Sequence, residues 1–131
     1  MRGVHHVCMA VEDLDDAVAT YERLFGAEVE IRDRIDAQGV DAVYLRVGDG
    51  RLELVSPLDD QTPVGRFLAK RGPGVHHVAF EVDDVHAAAD ELVERGANVI
   101  DREPRAGLGG HEVVFVHPES LDGVLAEVLG G

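Results

Sequence analysis

Between Val4 and Val11 the chain reads Val-His-His-Val-Cys-Met-Ala-Val, a short run rich in β-branched and apolar residues that predicts a strand. A run of the same character returns at Val75–Val82. Each is followed by an Ala-rich amphipathic stretch, Ala17–Leu24 and Ala87–Arg95, which predicts a helix. Asp13 stands where the first helix wants an N-cap, and Asp83 or Asp84 where the second does. Gly26 and Gly96 stand where a helix end wants a left-handed residue. Shorter strand patterns follow at Glu28–Arg34, Asp41–Val47 and Arg51–Val55, then at Asn98–Asp101, Glu112–His117 and Val124–Leu129. Between the two sets, Gln61–Gly72 reads as a linker helix, with Thr62 capping and Pro63 in the first turn.

The order is therefore βαβββ written twice. Identity supports this reading: Gly3–Leu14 matches Gly74–Val85 with Val-His-His-Val in both, and Gly26-Ala27-Glu28-Val29 answers Gly96-Ala97-Asn98-Val99 with a one-residue shift. Matching across a strand, a helix and a turn is a tandem duplication. The expected fold class is α+β, one domain over residues 1–131. Its first module is residues 1–57, its linker helix 58–73 and its second module 74–131.

Composition narrows the function. At 131 residues the chain can bury a real core, and no apolar run approaches the roughly 20 residues of a membrane span. The N-terminal run is broken by two histidines and makes a poor signal peptide, so a cytoplasmic protein is expected. Cys8 is the only cysteine, which fits a reducing compartment and reads as a small core residue. A net charge of −14 argues against nucleic-acid binding. An anionic ligand must then rely on a local basic cluster, and two exist: Arg66, Lys70 and Arg71, and Arg102 with Arg105.

Strand alternation sorts the candidate chemistry. Val4, His6, Cys8 and Ala10 share one face, as do Val75, His77, Ala79 and Glu81. The opposite faces, carrying His5 and His76, are more hydrophobic and are expected to pack on the helices. His6 and His77 then point away from them among small neighbours. The last strand of each module carries an acid between apolar residues, Glu53 in Leu52–Val55 and Glu127 in Leu125–Leu129. Such a carboxylate is costly to bury unless it is paired or metal-bound. A lone strand histidine is usually a satisfied core residue. Two histidines and two glutamates, one of each per module, instead suit a divalent transition ion such as cobalt, manganese, nickel, iron or zinc.

Several stretches carry a resemblance: Phe67–Asp84, Glu103-Pro104-Arg105, Phe115-Val116-His117-Pro118 and Gly123-Val124-Leu125-Ala126-Glu127. Through them the chain resembles the vicinal oxygen chelate superfamily and, within it, the methylmalonyl-CoA epimerases. The resemblance implies paired βαβββ modules in a half-open barrel around a divalent metal, cobalt favoured, often in a homodimer. It implies His6, Glu53, His77 and Glu127 as ligands, and (R)/(S) interconversion of an acyl-CoA by α-proton removal and return through a stabilised enolate. Glu127 and Glu53 are the implied acid/bases. Ala42 stands where some epimerases carry a further glutamate, so the second acid/base is open.

Rival activities on the same framework are a lactoylglutathione lyase, an extradiol dioxygenase and a non-enzymatic ligand-binding module. Arg105, in the glycine-rich stretch Pro104–Gly110, and Lys70 are candidate substrate contacts. That stretch reads equally as a closing loop or an ordinary hairpin connection. His86, His111 and His117 are read as structural or surface residues.

Overall fold

The computed structural model describes residues 1–130; Gly131, the last residue of the second module as delimited above, lies outside the described residues. A single eight-stranded sheet curls into a half-open barrel of α+β class. The first half contributes β1 (Gly3–Ala10), α1 (Leu14–Phe25), β2 (Glu28–Ile35), β3 (Val40–Val47) and β4 (Gly50–Pro57). After α2 (Pro63–Arg71) come β5 (Gly74–Glu81), α3 (Val85–Glu94), β6 (Arg105–Ala106), β7 (Glu112–Val116) and β8 (Ala126–Gly130). The strand order is β2-β3-β4-β1-β5-β8-β7-β6. The repeated strands β1 and β5 lie antiparallel at the centre, β1 pairing parallel to β4 and β5 parallel to β8.

Local chemistry sets the helix ends. Asp13 and Asp84 accept from the backbone N–H three residues on, at 3.0 and 3.1 Å, and Thr62 does the same for α2 at 3.0 Å. Of the two candidates before α3, Asp84 is the cap, while Asp83 pairs with Arg2. Gly26 closes α1 at φ 64°, a left-handed conformation that glycine adopts without cost.

α1 and α3 cover the outer face. Leu14 and Val18 pack on Val43, Leu45 and Leu54, with Met9 and Val11 alongside; Val85 and Ala89 pack on Val114, Val116, Ala126 and Val128. α2 takes the other side, where Val64 joins Cys8, Ala10, Ala42, Tyr44 and Val55 in the concave core. The alternation along β3 is thus Ala42 and Tyr44 inward, Val43 and Leu45 outward.

The expected strand at Asn98–Asp101 does not form; only an isolated bridge joins Val99 to Val116. The Asp101 carboxylate accepts from the Glu103 N–H at 3.1 Å, a local turn that competes with a ladder, and Pro104 follows. The strand instead appears at Arg105–Ala106 as a two-residue partner to β7. The Pro104–Gly110 stretch is a hairpin connection held in place by Leu108, which is buried in the concave core. Gln38 donates to the Ala106 carbonyl at 3.2 Å, so this connection also bridges back to the first half.

Candidate active site

The central strands bring the two histidine pairs together, and a bulge in each changes which way they face. In the β1–β5 ladder Val4 pairs with Phe80 and His6 with Ala79, leaving His5 out of register. Symmetrically, Cys8 pairs with His77 and Met9 with Val75, leaving His76 out. Each extra residue breaks strict alternation. The expectation that His5 and His76 pack on the outer helices is therefore corrected. His5 lies on the inner side against Tyr44 and His111, with ring centroids 5.5 and 5.1 Å apart, and His76 lies 5.0 Å from Phe67 of α2.

His6 and His77 point inward as expected. Only five polar or charged residues are buried among the described residues, and four of them are His6, Glu53, His77 and Glu127. The two imidazoles lie 5.6 Å apart between centroids. His6 Nε2 is 3.2 Å from Glu53 and 3.6 Å from Glu127; His77 Nε2 is 3.7 and 3.6 Å from the same two carboxylates. Despite these short distances, both Nε2 atoms are buried without a hydrogen-bond partner. Nitrogens and oxygens that crowd together without bonding one another suit a shared cation. Donor atoms of His6, His77 and Glu127 all lie within 4.8 Å of each other, and a divalent ion fits this N/O set.

The opposite ring nitrogens are held from behind. Nδ1 of His6 lies 2.8 Å from Nδ1 of His5, and Nδ1 of His77 lies 2.9 Å from Nδ1 of His76. Partners of this kind fix ring orientation at metal sites. Arg51, which also pairs with Glu30, reaches His5 Nε2 at 2.9 Å. Burial, and then the Arg51 charge, lowers the His5 pKa to about 4. Burial likewise pushes His77 well below the usual imidazole value, followed by the neighbouring His76 and His6. A neutral imidazole is the form that ligates. Glu127 moves the other way: burial first, and then the Glu53 charge, raises its pKa well above the usual carboxylate range.

Three side chains around this cluster carried no local signal. Tyr44 stands opposite Glu53 in the β3–β4 register and packs 5.2 Å from the His6 ring; burial raises its phenol pKa, aided by Glu53 and Glu127. His111, expected to be structural or at the surface, has a buried Nδ1 without a partner. Cys8 is fully buried, with burial and Glu53 pushing its thiol pKa up. His117 caps the turn after β7 by accepting from the Glu119 N–H at 3.0 Å, and exposed His86 lies 3.5 Å from Glu112. Ala42 is buried on the inward face and brings no proton-transfer group.

A cavity of about 340 Å³ opens beside His77, walled by Val40, Val55, Val64, Val113, Phe115 and Leu125. Arg105 lies at its rim and is paired with Asp101 at 2.9 Å. Lys70 is not part of this wall; it lines a second groove against α2.

Residues 5–115 match the family profile of the Glyoxalase/Bleomycin resistance protein/Dioxygenase superfamily. The ethylmalonyl-CoA/methylmalonyl-CoA epimerase of Cereibacter sphaeroides is 38% identical over 127 residues, covering 95% of this chain and 95% of that protein. The mitochondrial methylmalonyl-CoA epimerase of Dictyostelium discoideum is 36% identical, covering 95% and 76% respectively. Among solved structures, a single-substitution variant of the Streptomyces coelicolor methylmalonyl-CoA epimerase in complex with 2-nitronate-propionyl-CoA superposes with a TM-score of 0.96 at 35% identity, covering 100% of this chain and 98% of that one. The Mycobacterium tuberculosis methylmalonyl-CoA epimerase gives 0.94 at 32% identity, covering 98% and 87%.

Proposed function

The chain belongs to the Glyoxalase/Bleomycin resistance protein/Dioxygenase superfamily, and from that premise we propose that it is a metal-dependent epimerase interconverting (R)- and (S)-methylmalonyl-CoA. The observation that carries this reading is the inward cluster of His6, Glu53, His77 and Glu127, with both Nε2 atoms buried and unbonded. These four residues would hold a divalent ion, with cobalt the expected metal and manganese, nickel, zinc and iron as alternatives. When bound, the ion supplies Lewis-acid polarisation of the thioester and carboxylate oxygens, which acidifies the carbon between them.

The protein's own groups then move the proton. Glu127, the last-strand carboxylate beside the cavity, accepts it from the α-carbon. Return to the opposite face falls to Glu53, the pseudo-symmetric carboxylate, which must enter the cycle protonated while Glu127 enters ionised, so that the turnover ends with the proton on Glu127; Ala42 cannot serve. Val55, Val64, Val113 and Phe115 keep bulk water from the reacting carbon. Arg105 and Lys70 are the candidate substrate contacts. A homodimer and a cytoplasmic location belong to the same reading. No helix is long and apolar enough to cross a membrane.

Proton NMR of methylmalonyl-CoA in deuterium oxide tests the proposal. Metal-loaded protein removes the α-proton signal, and chelator-stripped protein does not. No exchange with metal verified as bound overturns it, and turnover of the glutathione hemithioacetal in place of exchange assigns the protein to the lyases.

A further inference from the structure

The two halves repeat their histidine pairs but not what stands behind them. His6 is backed by His5 and His77 by His76, through facing Nδ1 atoms at 2.8 and 2.9 Å. Two residues before Glu53 the chain has Arg51; two residues before Glu127 it has Leu125. The parallel ladders make these positions equivalent, since Cys8 pairs with Glu53 and Ala79 with Glu127. Arg51 reaches His5 Nε2 at 2.9 Å, while Glu30 holds its guanidinium at 2.7 Å and the Tyr44 ring centre lies 5.5 Å away. Leu125 has no hydrogen to donate. Among the described residues no arginine or lysine donates to His76, whose ring packs on Phe67.

Donors and acceptors then fix the direction of the chain in the first half. A guanidinium can only donate, so His5 Nε2 must accept and carries no hydrogen. A neutral His5 with a bare Nε2 has its hydrogen on Nδ1 and donates it to His6 Nδ1. The hydrogen of a neutral His6 is left on Nε2, the atom that faces Glu53 and Glu127. A nitrogen bearing hydrogen has no lone pair to give a metal. His77 is under no such constraint. With leucine behind it, His76 is able to accept at Nδ1, which leaves His77 Nε2 bare.

We infer that Arg51, acting through His5, is a positioning residue that holds His6 in its non-ligating tautomer, so that the two histidines of the candidate site are inequivalent and His6 ligates only when Arg51 lets go of His5. The change balances without altering the charge of either ring. The His6 Nε2 hydrogen leaves, the His5 Nδ1 hydrogen passes to His6 Nδ1, and His5 Nε2 gains one in turn. Arg51 keeps its two hydrogen bonds to Glu30 throughout. The consequence for ligation rests on the metal-site reading; the arrangement of hydrogens in the empty site does not.

Nitrogen NMR of the imidazoles in the metal-free protein reads the tautomers directly. His5 Nε2 and His6 Nδ1 resonate as bare nitrogens and His6 Nε2 as protonated; a bare His6 Nε2 overturns the inference. Zinc titration of the stripped protein by calorimetry is the second arm. Arg51→Leu, which copies the second half, binds zinc about tenfold more tightly, whereas loss of an ordinary supporting partner weakens binding by about 10–100-fold. Arg51→Gln, whose amide accepts as well as donates, shows the same gain and serves if the leucine variant fails to fold. Arg46→Met takes a cation from the same Glu30, 3.9 Å away, without touching His5, and leaves zinc binding as in wild type. Unchanged or weaker binding by the Arg51 variants, or an equal gain in Arg46→Met, overturns the role of Arg51. If neither wild type nor the Arg51 variants bind zinc while the tautomers are as stated, the donor chain stands and the metal reading falls.

Discussion

Glu127 concentrates the chemistry of the site in one residue. Buried beside Glu53, it keeps its proton to a higher pH than a free carboxylate. A cation arriving among His6, Glu53, His77 and Glu127 displaces that proton. Metal binding to the stripped protein therefore releases a proton at pH values below that raised pKa, and the release dwindles as pH rises past it. Calorimetric titration in buffers of different ionisation enthalpy, run over a series of falling pH values, measures it; no buffer dependence at any of them contradicts the assignment. Glu127→Gln removes the base while nearly preserving shape, so the exchange rate drops by about 10²–10⁴-fold. Full turnover by this variant rules out Glu127 as the base. His6→Ala acts earlier, by losing bound metal, which elemental analysis of the purified variant reads directly.

At the scale of elements, the site depends on pieces that only hold their neighbours. Leu108 is 2% exposed and anchors the hairpin connection between β6 and β7 in the concave core against Ile35, Val40 and Tyr44. Leu108→Ala leaves a cavity there and costs about 2–5 kcal/mol, read by urea denaturation. The Asp84 cap is a smaller contribution: Asp84→Ala costs about 0.5–2 kcal/mol through the start of α3. The sequence located the start of α1 at Asp13 and that of α3 to one of two neighbouring residues, Asp83 or Asp84, because caps are local chemistry. It misplaced the strand at Asn98–Asp101 because the Asp101 turn competes with a pairing that the alternation pattern alone favours.

At the scale of the whole molecule, β1 and β5 join the halves at the centre of the sheet, and the four donors span that seam, His6 and Glu53 from one half, His77 and Glu127 from the other. An ion held across the seam binds the folded state alone. Metal at 100 times its dissociation constant therefore adds about 2.7 kcal/mol of stability, and chelation lowers the melting temperature accordingly. A metal-independent melting temperature argues against the site. The net charge of −14 opposes compaction at low ionic strength, so added monovalent salt raises the melting temperature of the stripped protein.

The element order, the helix caps and the four inward donors were legible in the sequence, because caps, strand period and duplication are local or repeating patterns. A residue that appears at the same place in both halves identifies its partner without any coordinates. Tertiary structure alone decided what depends on register and on distant neighbours. Bulges turned His5 and His76 inward behind the candidate ligands, since one unpaired residue resets alternation on a strand. Tyr44 and His111 reached the site through contacts with residues far away in the chain. Whether a cation is free or neutralised likewise depends on which acid the fold places beside it, which separates paired Arg105 from unpaired Lys70.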